Sequence, residues 1–392
     1  MADDPVISRT TVTPVGRRKR LLVHFFFLLL SSATAHGGTH SPQYLRLQAA
    51  LDLYLQTAVD GGWPTVPDGE TLAPGDRDPR IAVLTRRLQA TGDLERDGRE
   101  LETYDDRLAA AVLRFQKRHG LGQDALVGPA TLRAMNVPVE QRIAQLRLNL
   151  DRTARVFDSS PPNFVLVNVP AFTTYLYRDR RLAWTGRIIV GETEAETPLF
   201  ESEIMSVVLN PSWAVPRSIA SEELLPKIQQ DPAFLSRGGF DVLDPAGAPI
   251  DASQIDWASL HRDNFPYTLV QRPGPVNELG RVKFMIPNPY DVCMHDTPGK
   301  YLFALDSRAF SHGCIRLDRP LDFAAEVLAA ENWSREQIDA RLATQRTETI
   351  PLQSPLPLIV TYLTASVDGN GTVYFYRDIY GMDEIPPQPA SR

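Results

Sequence analysis

The sequence predicts an α+β multidomain protein: a small three-helix bundle module set in a helical scaffold, followed by a mostly β domain with a lid-like insertion. Three observations predict it. Residues 42–153 carry apolar residues at helical spacing between Gly and Pro stops. From Asn163 onward, short β-rich runs alternate with Pro, Gly and Asn turn signals. Between Trp213 and Pro266 that β pattern lapses into a polar, Pro-containing, partly helical stretch, the kind of excursion that forms lids and binding loops. A chain of 392 residues has room for two or three such domains.

The elements follow in order. Residues 1–35 read as a secretory signal. Arg17-Arg18-Lys19-Arg20 is basic, Leu21 to Leu30 is apolar apart from His24, and Ser31-Ser32-Ala33-Thr34-Ala35 supplies a small-residue cleavage site after Ala35. The apolar run is shorter than the roughly 20 residues a bilayer requires, so membrane attachment is expected only if the signal is retained. Residues 36–77 form a scaffold segment, with a helix from Pro42 to Val59 whose face is Leu47, Leu51, Tyr54 and Ala58. Residues 78–137 form the three-helix module. Asp78-Pro79 opens its first helix, Asp105 or Asp106 the second, and Val127-Gly128-Pro129 the third. Residues 138–160 return to the scaffold with a helix from Val139 to Thr153, whose Ile143, Leu146 and Leu150 are expected to meet the Pro42–Val59 helix. The β domain covers residues 161–365, with the insertion at about 214–266. A C-terminal hairpin and Pro-rich tail cover 366–392. Ser334-x-x-Gln337 is a capping box opening a late helix.

Composition excludes one function class. The formal charge is −7, and loss of residues 1–35, with five Lys/Arg and two Asp/Glu, makes it −10. A nucleic-acid binder would carry a basic patch, and none is visible.

The chemistry concentrates between Met294 and Pro320. His295, His312 and one of only two cysteines, Cys314, fall within twenty positions. A nucleophilic cysteine needs a thiolate, a base or cation to form it, donors for an oxyanion, and access. Cys314 follows Gly313, whose missing side chain admits a substrate carbonyl to the backbone. The amides of Gly313 and Cys314 are the candidate oxyanion donors. His295 is the favoured base, with His312 as the alternative, and Asp296 or a nearby carbonyl is expected to hold the other ring nitrogen of His295. Arg316 can bind a substrate carboxylate bidentately.

Two blocks of sequence carry a family resemblance. Ala111-Val-Leu-Arg-Phe-Gln-Lys-Arg-His-Gly-Leu121 followed by Val127-Gly-Pro-Ala-Thr-Leu-Arg-Ala-Met-Asn-Val137 resembles a peptidoglycan-binding module of the three-helix type. His295 with Ser311-His-Gly-Cys-Ile-Arg316, preceded by Asn210-Pro-Ser-Trp213, Gln271-Arg-Pro-Gly274, Asn277-x-Leu-Gly280 and Lys283-Phe284, resembles the L,D-transpeptidase (YkuD-like) catalytic domain. The whole is similar to the long periplasmic enzymes of Gram-negative bacteria. That resemblance implies a periplasmic enzyme in which Cys314 attacks the diaminopimelate carbonyl of a tetrapeptide stem. D-Ala leaves, a thioester forms, and a second stem's diaminopimelate amine resolves it into a 3→3 cross-link. It implies no metal or organic cofactor, and carbapenems as covalent inhibitors. Under the same resemblance Asn277, Gly280, Lys283 and Trp213 are candidates for the substrate groove, and Ser311 for setting the loop. A transpeptidase that attaches a lipoprotein to the wall and a non-catalytic wall-binding protein are the alternatives.

Cys293 departs from the family, which often has an aromatic or aliphatic residue two before the first histidine. In a strand it faces the same side as His295. Three readings stand open: a small buried residue, a Cys293–Cys314 disulfide that switches the enzyme off, or a zinc site of Cys293, His295, His312 and Cys314.

Overall fold

In the computed structural model, residues 40–97, 101–231 and 233–384 are described. The proposed signal and the extreme C-terminus lie outside them. The scaffold begins with α1 (Pro42–Val59), where Ser41 caps the helix by accepting from the Tyr44 amide and Pro42 occupies the first turn. The module follows as α2 (Arg80–Ala90), α3 (Asp106–Arg118) and α4 (Pro129–Met135). The Asp78 carboxylate accepts from the Arg80 amide at the start of α2, and Asp105 caps α3 by accepting from Leu108. Ile81, Leu84, Leu88, Leu108, Val112, Phe115, Leu132 and Met135 bury together as its core. The chain re-enters the scaffold as α5 (Val139–Phe157), which runs a full turn past the Thr153 end expected from the apolar pattern. Leu47, Leu51 and Tyr54 of α1 pack on Ile143, Leu146 and Leu150 of α5, and the C-terminal hairpin adds Val373 and Phe375 to that cluster.

The β domain is a nine-stranded sheet. Its strands are β1 (Phe164–Asn168), β2 (Thr173–Arg178), β3 (Arg181–Gly191), β4 (Phe200–Leu209), β9 (Val282–Met285), β10 (Met294–His295), β11 (Ala309–Ser311), β12 (Ile315–Leu317) and β13 (Glu348–Thr361). They lie in the order β11-β3-β12-β10-β9-β4-β13-β1-β2, and a further pairing of β2 with β3 joins the two ends of the sheet. Closure removes exposed edges, which otherwise invite pairing with foreign strands. Val165, Val167, Ile188, Val190, Val207, Leu209, Phe284, Ile315, Leu317 and Leu358 meet inside with Phe323 and Val327 of a covering helix, Pro320–Leu328. The capping box at Ser334 and Gln337 is formed as its sequence suggests.

The insertion is β5 (Trp213–Ala214), β6 (Phe240–Leu243), β7 (Pro249–Ile250) and β8 (Thr268–Gln271) in one small sheet, β5-β8-β6-β7, with three short helices and a π-helical turn, Ala220–Leu224. It is a subdomain with its own core of Val215, Leu224, Leu225, Ile228, Leu235, Val242, Phe265 and Leu269. That corrects the picture of a polar excursion. Its apolar residues are spaced in short runs that bury only against each other, so no single run announces itself.

One buried ion pair ties the module together. Arg118 Nε donates to Asp93 Oδ1 at 2.7 Å, with both side chains inside. Removing one partner strands a buried charge, at a cost of about 3–5 kcal/mol. Asp93→Asn is expected to lose about that much stability in denaturant unfolding followed by far-UV circular dichroism. An unchanged midpoint would show the pair to be energetically idle.

Candidate active site

Strand pairing builds the site. β10 lies between β9 and β12: His295 is opposite Lys283 on one side and opposite Arg316, in parallel register, on the other. Cys293 immediately precedes β10 and Cys314 immediately precedes β12. The Ile315 amide donates to the Cys293 carbonyl at 2.8 Å, which continues the parallel ladder by one step and brings the two cysteines side by side. Their Sγ atoms are 2.7 Å apart, and the Cys293 amide donates to Cys314 Sγ at 3.2 Å. Both are free thiols.

His295 is buried, and its Nδ1 bonds to the Asp296 backbone carbonyl. A carbonyl only accepts, so Nδ1 carries a hydrogen there and Nε2 is the ring nitrogen left free of that bond. One donor atom from each of Cys293, His295 and Cys314 lies within 4.8 Å of the other two. The Asp296 carboxylate has a different task. It accepts from the Arg281 and Thr297 amides and pairs with Lys300 Nζ at 2.7 Å. The Cys314 thiol is held well below its usual range, first by the hydrogen bond from Cys293 and then by that from His295, against the opposing effect of burial. Cys293 moves the other way, pushed well up by its bond to Cys314 and by burial. The contact between them thus favours the charged form on Cys314 and the protonated form on Cys293.

The cysteine loop is held from several sides. Gly313 sits at φ +104°, in the left-handed half of the map that favours glycine. Ser311 is buried; its hydroxyl donates to the Cys314 carbonyl and accepts from the Gly313 amide at 3.2 Å. This corrects the oxyanion assignment. The Gly313 N–H is occupied by Ser311, while the Cys314 N–H makes no hydrogen bond among the described residues, which leaves it as the backbone donor on hand. Thr197 donates to the Gly313 carbonyl at 2.9 Å and accepts from the Gly191 amide at 2.8 Å. Tyr380, from the C-terminal segment, donates to the Gly191 carbonyl at 2.6 Å. Thr197 and Tyr380 hold this loop from positions far from it in sequence.

The remaining predicted residues separate. His312 is not at the thiol. Its side chain is half exposed and pairs through Nε2 with Glu223 of the insertion at 3.2 Å, so it tethers the loop to the insertion. Without it, the four-ligand zinc arrangement is not assembled. Arg316 is part-buried and its Nε is a buried donor with no hydrogen-bond partner among the described residues. Lys283 is part-buried on β9 beside His295. Asn277 is fully buried and gives its amide to the Pro211, Gln271 and Arg272 carbonyls while its oxygen accepts from Leu279; it holds a loop and offers nothing to a groove. Gly280 has φ +62°, and a Cβ there would lie 2.4 Å from the Asp296 carboxylate, so it is glycine for packing rather than for substrate. Trp213 lies at the base of the insertion against that subdomain's core. A cavity of about 1010 Å³ lies elsewhere, between α1, the β2–β3 hairpin and the C-terminal hairpin, and no thiol-site residue lines it.

A closed β domain that presents a thiolate beside an imidazole is equipped for nucleophilic acyl chemistry. Residues 162–339 match the family model described as "L,D-transpeptidase catalytic domain", and residues 77–135 match "Putative peptidoglycan binding domain". Residues 162–339 are thus similar to an L,D-transpeptidase catalytic domain, and the segment before them is similar to a peptidoglycan-binding module. The "Putative L,D-transpeptidase" of Haemophilus influenzae is 34% identical over 245 residues, covering 62% of this chain and 49% of that protein. The chain spans about half the length of this curated relative. Among solved structures, an L,D-transpeptidase from Stackebrandtia nassauensis is 13% identical over 76% of this chain and 96% of its own, with a TM-score of 0.27. One from Xylanimonas cellulosilytica is 14% identical over 75% and 99%, with a TM-score of 0.24.

A pH profile tests the thiolate. An ordinary cysteine, with a pKa of about 8.5, loses roughly tenfold in alkylation rate per pH unit below that value. Because the Cys314 pKa is lowered, its iodoacetamide alkylation is expected to stay nearly flat from pH 8 down to pH 6. Cys293→Ala removes the largest cause and is expected to move the fall toward neutral pH. A tenfold drop per unit in the unmodified protein would contradict the assignment.

Proposed function

We propose that this protein is a cysteine-dependent L,D-transpeptidase that forms 3→3 peptidoglycan cross-links. The observation that carries the reading is the Cys314 thiolate beside an imidazole whose Nδ1 is committed to a carbonyl, inside a segment that matches the L,D-transpeptidase catalytic domain. Cys314 attacks the carbonyl of the diaminopimelate residue in a tetrapeptide donor, and the Cys314 amide stabilises the oxyanion. D-Ala leaves as an amine that takes a proton from the site, with His295 as the carrier. A thioester remains. The side-chain amine of a second stem's diaminopimelate, its proton removed by His295, attacks that thioester and releases Cys314. Arg316 receives a donor carboxylate at its unpartnered Nε. The N-terminal module holds the wall polymer near the site. Residues 1–35 direct export to the periplasm, with cleavage after Ala35. A carbapenem, as a strained cyclic acyl donor, acylates the same sulfur.

Mass spectrometry of tetrapeptide muropeptides incubated with residues 36–392 tests the reaction. A dimer that has lost D-Ala, absent with Cys314→Ala, is expected. Absence of both dimer and thioester would overturn the cross-linking reading and favour a lipoprotein acceptor or a binding role. Arg316→Ala is expected to lower kcat/KM for the donor by about tenfold to a hundredfold, the loss of one charged hydrogen bond of about 1.5–3 kcal/mol. An unchanged value would remove Arg316 from the donor site.

A further inference from the structure

The chain has two cysteines in 392 residues, and the fold places them in contact. Cys293 lowers the pKa of Cys314 through its hydrogen bond, a service that leaves its own capacity for covalent sulfur chemistry unused in acyl transfer. Resting on the reading of Cys314 as nucleophile, we propose that Cys293 is a resolving cysteine: it captures oxidised Cys314 as a reversible Cys293–Cys314 disulfide, which turns the enzyme off and spares it from irreversible oxidation.

Geometry carries this. The cysteines are the next pair in the parallel register after Met294 and Ile315, and neighbouring strands lie about 4.8 Å apart. That spacing falls within the roughly 4.4–6.8 Å between α-carbons that disulfides span. The backbone is already pinned there by the Ile315 to Cys293 hydrogen bond, so bond formation needs rotation of side chains and no movement of strands. Access is available, because both cysteines are only part-buried. The division of roles also follows from the site. Cys314, whose charged form is favoured, is the sulfur that attacks an oxidant, while Cys293 is biased toward its protonated form and is left to react second.

The chemistry balances with a peroxide as oxidant. The Cys314 thiolate attacks one peroxide oxygen; the O–O bond breaks, an S–O bond forms, and hydroxide leaves to be protonated to water. The product is a sulfenic acid. Cys293 then loses its proton and attacks the sulfenic sulfur; the S–S bond forms, the S–O bond breaks, and a second water leaves. In sum, two thiols and one hydrogen peroxide give one disulfide and two waters, with two electrons passing from sulfur to oxygen. An external dithiol reverses the step by exchange. Without Cys293 the sulfenic acid meets more peroxide and proceeds to sulfinic acid, which thiols do not reduce.

Tryptic mapping of the full reduced chain tests this without any wall substrate. After one equivalent of hydrogen peroxide, non-reducing mass spectrometry is expected to show peptide 284–300 joined to peptide 309–316, two hydrogens lighter than their sum. Iodoacetamide labelling of Cys314 should be lost and should return with dithiothreitol. Under excess peroxide, Cys293→Ala and the near-isosteric Cys293→Ser should both accumulate Cys314 sulfinate severalfold faster than the unmodified protein and fail to recover. Circular dichroism checks that each variant is folded. Absence of the joined peptide, or equal sulfinate accumulation with and without Cys293, overturns the proposal. A joined peptide in a protein that makes no cross-links would leave the resolving role standing and count against the transpeptidase reading alone.

Discussion

The parallel pairing of β10 with β12 is the constraint from which the site follows. Each strand is only two or three residues long, and neither would hold alone. They are held because β9 and β3 flank them in a sheet that closes through β2 and β3. Once Met294 faces Ile315 and His295 faces Arg316, the positions of Cys293 and Cys314 are no longer free. Side chains alternate along a strand, so the base and the second thiol share a face while Met294 turns into the core. A slip of one residue would exchange them, burying a polar group and exposing the methionine. The register of the active site is thus enforced by the hydrophobic core beneath it.

The loop before β12 shows a second economy. Five polar contacts, from Ser311, Thr197 and Tyr380, converge on residues 191 and 313–314. They fix the carbonyls of the loop and so the direction in which Cys314 points. Ser311 also occupies the Gly313 amide, and a hydroxyl can rotate away from an amide at little cost. Of the two amides, that of Gly313 is held by the Ser311 hydroxyl and that of Cys314 has no partner among the described residues.

What could be read in the sequence depended on how local the cause was. Helices with caps and one apolar face were legible: Ser41-Pro42, Asp105 and the Ser334–Gln337 box mark their starts, and Gly or a polar run their ends. Central strands such as Phe164–Asn168 were legible as runs of apolar residues. The long strand β13 was seen only from Leu358, because Pro351, Pro355 and Pro357 conceal its first half. The structure accommodates that stretch with a register shift between Pro351 and Leu356, which spares a continuous ladder from needing every amide. Among site residues, the His295–Cys314 pairing was inferable from residue chemistry. The displacement of His312 was not, since it depends on Glu223 from a subdomain 89 positions earlier. Nor was the burial of Asn277, which depends on backbone atoms of Pro211, Gln271, Arg272 and Leu279 converging on one side chain.

His312 and Glu223 suggest how the insertion and the loop influence each other. Both side chains are substantially exposed, so as a stabilising ion pair the contact is worth little. Its value is positional. Glu223 lies in the π-helical turn of the insertion, a geometry that costs hydrogen-bond quality and is concentrated at functional sites. Movement of the insertion would pull on His312, two residues from Cys314, while Ser311 on the other side stays buried and fixed. The residue between His312 and Cys314 is Gly313, whose positive φ favours glycine. The contact is weak and exposed and reaches Cys314 only through a glycine, so the strand pairing that places the two cysteines does not depend on it.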